Sequence, residues 1–374
     1  MTPQSLSRRR LMRNAALMSA ATARGTAANS AVTVGLIGAG GRGTHDARLL
    51  VEHTGGRLVA LCDLFEEQIA KARKAIPAPD AKAYRRMEDL FASGVDAVII
   101  ATPVYLHPEH FEAAVKAGKH IYIEKPAGLD VEGCKRVMRA ADAADRKLNI
   151  TFGFQQRYGP GYRKGHRLVT SGEIGPLRMA HAHWIKGAVP ANNVPIAAPR
   201  DEIQKVKDWH NWRDLFGDYI VETYCHGVDV LNWFLGGHPE SAIGSASKTV
   251  IQRGDMRDHC TATFTYKNGM QATLTGTQIT PRFYRDVSET FVCADGVVEV
   301  AREYWRHHRS RTDIFEEKEP IDITAHGLKE FVQRIRDGQP ENTGVRAAES
   351  TLTAILARTS MDLKREVSWA ELMK

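Results

Sequence analysis

The first 150 residues alternate short apolar runs with amphipathic segments. The apolar runs have the length and branched side chains of buried strands, and segments with helical spacing separate them. They occupy residues 32–37, 58–62, 95–100 and 119–123. Strands that alternate with helices predict a parallel, doubly wound sheet, whose ligands bind where the strands end.

The pattern changes to alternation with period two in the second half, which predicts strands joined by short turns. These strands cover residues 177–184, 241–251, 261–266, 270–277, 288–293 and 297–300. Helical spacing returns at 327–336 and 345–363, and residues 217–237 are predicted to form one helix closed by glycines. The proline-containing segment 189–204 is irregular, and it forms either a functional loop over a pocket or a surface excursion.

The first strand runs directly into a G-x-G-x-x-G sequence that opens a helix, an arrangement typical of dinucleotide binding. Gly38 permits the tight turn, Gly40 allows close approach of a pyrophosphate, and Gly43 lets helix and strand pack closely. The second strand ends at Asp63, where a carboxylate favours the ribose hydroxyls of NAD. Arg42 within the loop is able to receive a 2′-phosphate instead, so NADP stays open.

Length and charge narrow the function classes. The 374 residues are enough for about two domains. The net charge of +7 depends on five arginines in the first 31 residues, which contain no acid, and the remainder has 46 basic and 44 acidic residues. Nucleic acid is therefore not an expected partner. The basic run 302–311 is interpreted as a solvated surface strand or loop, with an anionic substrate as the alternative.

The N-terminus resembles a twin-arginine export signal, with Ser7-Arg8-Arg9-Arg10-Leu11-Met12-Arg13 before an alanine-rich stretch. This predicts a periplasmic or secreted protein, and a basic tail on a cytoplasmic enzyme is the alternative. No segment has the length of a membrane span. The five cysteines are scattered over apolar segments without a C-x-x-C pair, so we expect buried thiols.

Three motifs in order, V-G-L-I-G-A-G-G-R-G at 34–43, A-T-P-V-Y-L-H at 101–107 and I-E-K-P-A-G at 123–128, resemble the Gfo/Idh/MocA family. The resemblance extends over about residues 32–369. It implies a Rossmann domain followed by an α/β domain with an open, mainly antiparallel sheet that supplies the substrate pocket and often the contact of a homo-oligomer. We therefore expect an export segment at 1–31, an NAD(P)-binding domain at 32–150 and a substrate-binding domain at 151–374.

Lys125 follows a parallel strand and precedes Pro126, which directs its side chain out of the carboxyl edge of the sheet. The resemblance implies a position beside the nicotinamide. Burial and the positive ring are expected to lower the pKa of this lysine, so that it assists proton removal or holds the reacting hydroxyl.

The predicted helix 217–237 places Glu222, His226 and Asp229 on one face. Three interpretations remain open: a surface salt link between Glu222 and His226, a metal site, and general acid/base catalysis by His226 with Glu222 or Asp229 setting its tautomer. The resemblance favours the last and implies no metal. Relatives commonly have an aspartate where this chain has Glu222.

Strand ends and family motifs together indicate the residues around the ligands. The cofactor is expected to contact Gly38, Gly40, Gly41, Arg42, Gly43, Asp63, Thr102, Pro103, His107, Glu124, Lys125 and Gln155. The substrate is expected to contact Arg157, Tyr158, Trp212, Arg213 and Tyr224. Aromatic faces and planar donors suit a carbohydrate, although each of these residues is equally able to serve in ordinary packing.

These observations predict an exported, NAD(P)-dependent oxidoreductase acting on a sugar, a sugar derivative or a cyclic polyol, with tightly held cofactor. An NAD-dependent glycosidase, which oxidises its sugar transiently without net redox, is the first alternative. A non-catalytic dinucleotide-binding protein is the second.

Overall fold

The computed structural model describes residues 31–374, and its first layer is a six-stranded parallel sheet in the order β3-β2-β1-β4-β5-β6. The strands are β1 (Thr33–Ile37), β2 (Arg57–Cys62), β3 (Lys82–Tyr84), β4 (Ala97–Ile100), β5 (His120–Ile123) and β6 (Ile150–Phe152). The strand order reverses between β1 and β4, which places the ligand crevice at their carboxyl ends. The predicted doubly wound sheet is confirmed.

Helices cover both faces of this sheet, because the strands β2, β1, β4 and β5 bury apolar side chains on both sides. They are α1 (Gly41–Thr54), α2 (Glu66–Ala75), α3 (Met87–Ala92), α4 (His107–Lys116) and α5 (Val131–Ala143). Helix α1 begins immediately after β1, so its N-terminus points at the crevice.

The second layer is a nine-stranded sheet in the order β14-β13-β12-β11-β7-β10-β9-β8-β15, in which only the β7–β10 pair is parallel. Its strands are β7 (Leu177–Lys186), β8 (Ser241–Ser247), β9 (His259–Thr265), β10 (Gln271–Thr277), β11 (Arg285–Cys293), β12 (Val297–Ala301), β13 (Tyr304–His308), β14 (Ile314–Lys318) and β15 (Val367–Ser368). The mainly antiparallel sheet implied by the family resemblance is confirmed.

Strand β8 ends four residues before the predicted end, and Asp258 is the reason. The backbone N–H groups of Thr249, Val250 and Ile251 donate to the Asp258 carboxylate at 3.0, 2.7 and 2.9 Å. Amide groups bound to a carboxylate are not available to a strand ladder, so the chain turns there.

The helices of the second half lie against both sheets. They are α6 (Pro160–Ser171), α7 (Glu202–Asp208), α8 (Arg213–Phe216), α9 (Asp218–Glu222), α10 (Cys225–Leu235), α11 (Ile323–Asp337), α12 (Gly344–Leu363) and α13 (Trp369–Leu372). Helix α11 returns to the first sheet, where Leu328 and Phe331 join the core around Leu50. On α12, Thr351 Oγ1 accepts a hydrogen bond from Ala127 N–H at 3.0 Å. The last helices therefore tie the two layers together.

The single helix predicted over 217–237 is wrong, because the chain forms α9 and α10 with a break at Thr223 and Tyr224. Tyr224 N–H donates to Tyr219 O at 2.8 Å, a bond spanning five residues rather than four. Such a π-type turn rotates the residues before it relative to those after it. Face positions calculated for one continuous helix therefore do not hold across residue 223.

All five cysteines lie in the described part of the chain, and they are buried and unpaired, as expected. Over residues 31–374, no helix is long and apolar enough to span a membrane, and no group of His, Cys, Asp or Glu is arranged to hold a metal ion. The predicted export signal lies almost entirely in residues 1–30, outside the described range.

Candidate active site

The glycine-rich loop divides into glycines that the fold requires and glycines that leave space. Gly38 has φ +91°, and a Cβ there would lie 2.6 Å from Ala101 O, while a Cβ on Gly43 would lie 2.0 Å from Gly38 O. A Cβ on Gly40 or Gly41 would meet nothing within 4 Å. No side chain caps α1, so its N-terminal amides face open space. This arrangement fits a dinucleotide pyrophosphate.

Asp63 stands beside this loop, in an orientation set by backbone groups. Its Oδ2 accepts from Ala39 N–H at 2.8 Å, and its Oδ1 accepts from Phe65 N–H at 2.9 Å. A carboxylate has about four lone-pair sites, so acceptor capacity remains after these two bonds. The position fits the hydroxyls of a cofactor ribose.

Arg42 and Glu124, both predicted to bind the cofactor, bind each other. Arg42 Nη2 lies 2.8 Å from Glu124 Oε1 and 3.2 Å from Asp46 Oδ1. Burial opposes the Arg42 charge, but Glu124 and Asp46 together raise the pKa of the guanidinium above its usual value. The structure therefore directs Arg42 toward these acids rather than leaving it free for a 2′-phosphate.

His107 connects the loops that follow β4 and β5. Its Nδ1 lies 2.7 Å from Pro126 O and its Nε2 lies 2.9 Å from Thr102 O, and the ring is buried. Thr102 Oγ1 lies 3.0 Å from His110 Nδ1. His107 therefore fixes these two loops relative to each other. One loop carries Thr102 and Pro103, and the other carries Lys125.

Lys125 extends from the end of β5 to Glu222 at the end of α9. Its Nζ lies 2.6 Å from Glu222 Oε1 and 2.6 Å from the Glu222 carbonyl oxygen. Burial disfavours the ammonium, but Glu222 outweighs burial and raises the pKa of Lys125. The reverse holds for the acid, whose pKa burial would raise and Lys125 lowers. The expected lowering of the lysine pKa is therefore wrong for this structure, because a carboxylate compensates its charge.

His226 lies in the first turn of α10, four residues after Glu222, and is 4% exposed. Its ring stacks on Trp184 at 5.3 Å with an interplanar angle of 9°, and Phe154 meets it edge-on at 6.1 Å. Burial, with the nearby charges of Lys125 and Arg302, holds the pKa of His226 well below its usual value. The imidazole is therefore neutral at neutral pH.

The predicted contact of His226 with Glu222 or Asp229 does not form in the described structure. Nδ1 of His226 is buried without a hydrogen-bond partner. Glu222 is held by Lys125 and by Thr223 Oγ1, which donates at 2.7 Å. The break before α10 turns Glu222 away, so the histidine is positioned by ring packing instead.

Asp229 forms a structural ion pair with Arg157. The guanidinium donates through Nε and Nη2 at 2.8–3.0 Å, and Ser350 Oγ adds a bond at 2.6 Å. Asp229 is fully buried. The pair connects the turn after β6 to α10 and α12. Arg157 and Asp229, both predicted as site residues, therefore contact each other.

Three more predicted substrate residues have protein partners. Arg213 lies 2.7 Å from Asp362. Tyr158 is buried, and the Arg163 guanidinium lies above its ring at 5.4 Å. The ring of Tyr224 packs against Gly276, where an added Cβ would lie 2.3 Å from the ring. Trp212 is half-buried just before α8, with its indole Nε1 buried and unpartnered.

Two residues beside His226, Trp184 and Lys186, were missed by sequence reasoning, and a third, Arg302, begins the basic run 302–311 for which contact with an anionic substrate was the alternative to a solvated surface segment. The Lys186 Nζ lies 5.9 Å and the Arg302 Cζ 5.1 Å from the Trp184 ring centroid. The hydrogen-bond partners assign the Gln155 amide to the orientation in which its nitrogen donates to Gly153 O at 2.7 Å and its oxygen accepts from Arg302 Nη2 at 3.1 Å. The alternation along β7, which buries every second residue up to Trp184, was the available signal for Trp184 and Lys186.

Comparisons with known proteins agree with this architecture. The model of the GFO/IDH/MocA oxidoreductase family, with its NAD-binding Rossmann fold, matches residues 32–152, and the model of the GFO/IDH/MocA C-terminal domain matches residues 162–299. Inositol 2-dehydrogenase 3 of Saccharopolyspora erythraea is 32% identical over 213 residues, 56% of each chain. Inositol 2-dehydrogenase of Acidiphilium cryptum is 31% identical over 204 residues, 54% of each chain. The chain thus spans about half the length of these relatives.

Solved structures share the fold over a larger part of the chain. A levoglucosan dehydrogenase in complex with NADH and levoglucosan has a TM-score of 0.77 at 17% identity, over 90% of this chain and 99% of that one. A myo-inositol 2-dehydrogenase from Lactobacillus plantarum has a TM-score of 0.72 at 21% identity, again over 90% and 99%. With both domains matched in order, the chain belongs to the Gfo/Idh/MocA family of oxidoreductases.

Proposed function

We propose that this protein is an NAD-dependent dehydrogenase that oxidises a secondary alcohol of a sugar or cyclic polyol. One observation carries the proposal: a charged lysine and a neutral histidine lie in the same buried site, at the end of β5 and the start of α10. Alcohol oxidation requires a base for the hydroxyl proton and a cation for the developing oxygen charge.

The cofactor is expected to bind along the crevice of the first sheet, with its pyrophosphate at Gly40 and Gly41 and a ribose at Asp63. When bound, nicotinamide accepts the hydride of the reaction. Asp63 supports a preference for NAD, since its carboxylate would repel a 2′-phosphate and Arg42 is engaged by Glu124. Asp63→Ala should narrow that preference, and equal affinity of the wild type for NAD and NADP would contradict it.

His226 is proposed as the general base, because its neutral imidazole accepts a proton at neutral pH. Lys125 donates a hydrogen bond to the same substrate oxygen and stabilises its negative charge. Glu222 keeps the lysine charged and oriented. The rings of Trp184 and Phe154 limit access of water to the histidine.

The relatives support this substrate class. The similar sequences include inositol 2-dehydrogenases, and the similar solved structures include an enzyme in complex with levoglucosan. Inositol and levoglucosan are both cyclic molecules with secondary hydroxyls. We extend this substrate class to the chain, but we propose neither compound as its substrate.

The finer organisation is also a proposal. We divide the chain into an export segment at 1–31, a cofactor domain at 32–150 and a substrate domain at 151–374. Export would separate the enzyme from free dinucleotide, which favours tight cofactor retention and a closed redox cycle. Exposed apolar side chains on the nine-stranded sheet, such as Met179, Ile243 and Ile314, support a homo-oligomer.

The test begins with dinucleotide released from denatured protein, and continues with NADH formation on a panel of cyclic polyols, aldoses and nitrophenyl glycosides. We expect bound NAD and alcohol-dependent reduction, lost in Lys125→Ala and His226→Ala but kept in the exposed control His53→Ala. Absence of both dinucleotide and NAD-dependent turnover would reject the proposal. Release of nitrophenol without net NADH would assign the glycosidase function instead.

A further inference from the structure

Two cations beside the proposed catalytic histidine lack a counter-charge. Lys186 and Arg302 both flank the Trp184 ring, on which His226 stacks. Within residues 31–374, neither side chain has a carboxylate within 4 Å, and the Arg302 Nε is buried without a partner. Lys125 does not change this balance, because Glu222 already neutralises it.

Several other deeply placed arginines of this protein are paired with carboxylates, whereas Arg358, like Arg302, is not paired with one in the described part of the chain. Arg42, Arg157 and Arg257 have carboxylates at 2.8, 2.8 and 2.9 Å. Within residues 31–374, Arg302 instead contacts the face of Trp184 and, with the Gln155 amide turned so that its nitrogen donates to Gly153 O, the amide oxygen of Gln155. A cation–π contact compensates a desolvated guanidinium less than an ion pair does, so this position is incompletely satisfied.

The neighbouring groups do not supply the missing negative charge. Glu289, a buried acid near Arg302, accepts from Tyr162 O–H at 3.1 Å, and burial raises its pKa to about 8, which leaves it mostly protonated at neutral pH. Arg285, close to Lys186, adds a further positive charge and lies 3.5 Å from Glu303. Burial, together with Arg285, Arg302 and Lys125, lowers the pKa of Lys186, although the Glu222 carboxylate, which is bound by Lys125, acts in the opposite direction. The site therefore gains most from a ligand that brings a negative charge.

We propose that the substrate carries an anionic substituent, a carboxylate or a phosphate on the sugar or polyol ring, which Arg302 and Lys186 bind beside His226. This proposal rests on the proposed function and specifies its substrate class as an acidic sugar. The planar guanidinium matches two oxygens of either group, and the flexible ammonium adds a point charge. Neutral inositols and aldoses would leave both cations unpaired.

The test measures binding by calorimetry to the full protein with NADH added, so it does not depend on turnover. The probes are matched sets in the gluco and galacto configurations: neutral sugar, uronate and 6-phosphate. We expect at least one anionic member to bind roughly tenfold tighter than its neutral counterpart or better, because charge-assisted bonds replace unpaired charges. The preferred member, uronate or phosphate, identifies the anion.

Variants identify the residues responsible. Arg302→Gln and Lys186→Gln should each reduce the anion preference severalfold, whereas Arg302→Lys should retain part of it and the exposed control Lys82→Gln should match the wild type. Lys186→Gln keeps the test decisive if Arg302→Gln does not fold. Failure of every anionic probe to bind, or a preference that survives both glutamine variants, would overturn the proposal. Anion binding without NAD-dependent oxidation of any alcohol would reject the dehydrogenase function and leave the anion site standing.

Discussion

Lys125 Nζ lies 2.6 Å from the Glu222 carboxylate and 2.6 Å from the Glu222 carbonyl oxygen, although 97 residues separate the two in the chain. The lysine follows a strand of the parallel sheet, and the glutamate ends a short helix of the second half that packs against α8, α10 and α12. The pair therefore forms only when the two layers are assembled, and it sets the charge state of the proposed active site.

Lys125→Ala and His226→Ala should each lower kcat by roughly 10²- to 10⁴-fold, the usual loss for a positioned acid/base group. Because both groups act on one substrate oxygen, the double variant should lose much less than the product of the two single effects. Steady-state kinetics of the single and double variants measures these losses, and thermal unfolding checks that each variant is folded. Near-normal turnover of a folded His226→Ala protein on its true substrate would contradict the assignment.

Glu222→Gln should lower kcat less than His226→Ala does, and should shift the alkaline limb of the pH profile to lower pH. Glu222 raises the pKa of Lys125 against the effect of burial, so its removal lets burial lower that pKa. The control Glu222→Asp keeps the charge and should shift the limb less. An unchanged limb in a folded Glu222→Gln protein would show that the Lys125 charge is not needed.

The acid limb of kcat/KM should lie below about pH 6.5, the ordinary pKa of histidine. Burial and the nearby cations keep His226 neutral, so the base form persists into mild acid. The same group contributes stability that is complete above about pH 6.5 and is lost as pH falls toward its lowered pKa, since only the unfolded imidazole protonates in that window. Thermal unfolding of the wild type and of His226→Ala, measured at intervals of about half a pH unit from roughly pH 4 to 8, tests the direction of this pH dependence.

Gly41→Ala should fold normally and lose NAD affinity, by about tenfold or more. Its Cβ would meet no protein atom within 4 Å, so only a bound dinucleotide is obstructed. Gly43→Ala is the matched contrast, because its Cβ would lie 2.0 Å from Gly38 O and must displace backbone, which lowers the melting temperature. Wild-type NAD affinity in Gly41→Ala would place the pyrophosphate elsewhere.

Glu289→Gln should be progressively more stable relative to wild type as pH rises from about 4.5 to 8. Burial raises the pKa of Glu289 to about 8, so the folded state holds a proton that the unfolded state releases, and wild-type stability falls through this window. The effect is roughly 1.4 kcal/mol for each pKa unit. The exposed Glu67→Gln should follow the wild type, and a Glu289→Gln difference that does not grow with pH would show that the carboxyl is ionised.

The sequence by itself determined the features that depend on neighbouring residues. A strand, three spaced glycines and the start of a helix are contiguous, so the dinucleotide loop and Asp63 were visible without a structure. Alternation with period two located most strands of the second sheet. The motif that contains Lys125 indicated the site, because a residue directly after a parallel strand lies at the ligand edge of the sheet.

Tertiary structure alone decided which of these residues meet. Helical periodicity placed Glu222 and His226 on one face, but the turn at Tyr224 separated them, since a single bond spanning five residues changes the phase of everything before it. The partners of Glu222, Asp229 and His226 are Lys125, Arg157 and Trp184, each more than 40 residues away in the chain. Their charge states follow from burial and from these distant neighbours. Local sequence patterns carry no information on these partners or on the charge states, because both arise only when the two sheets and their helices pack together.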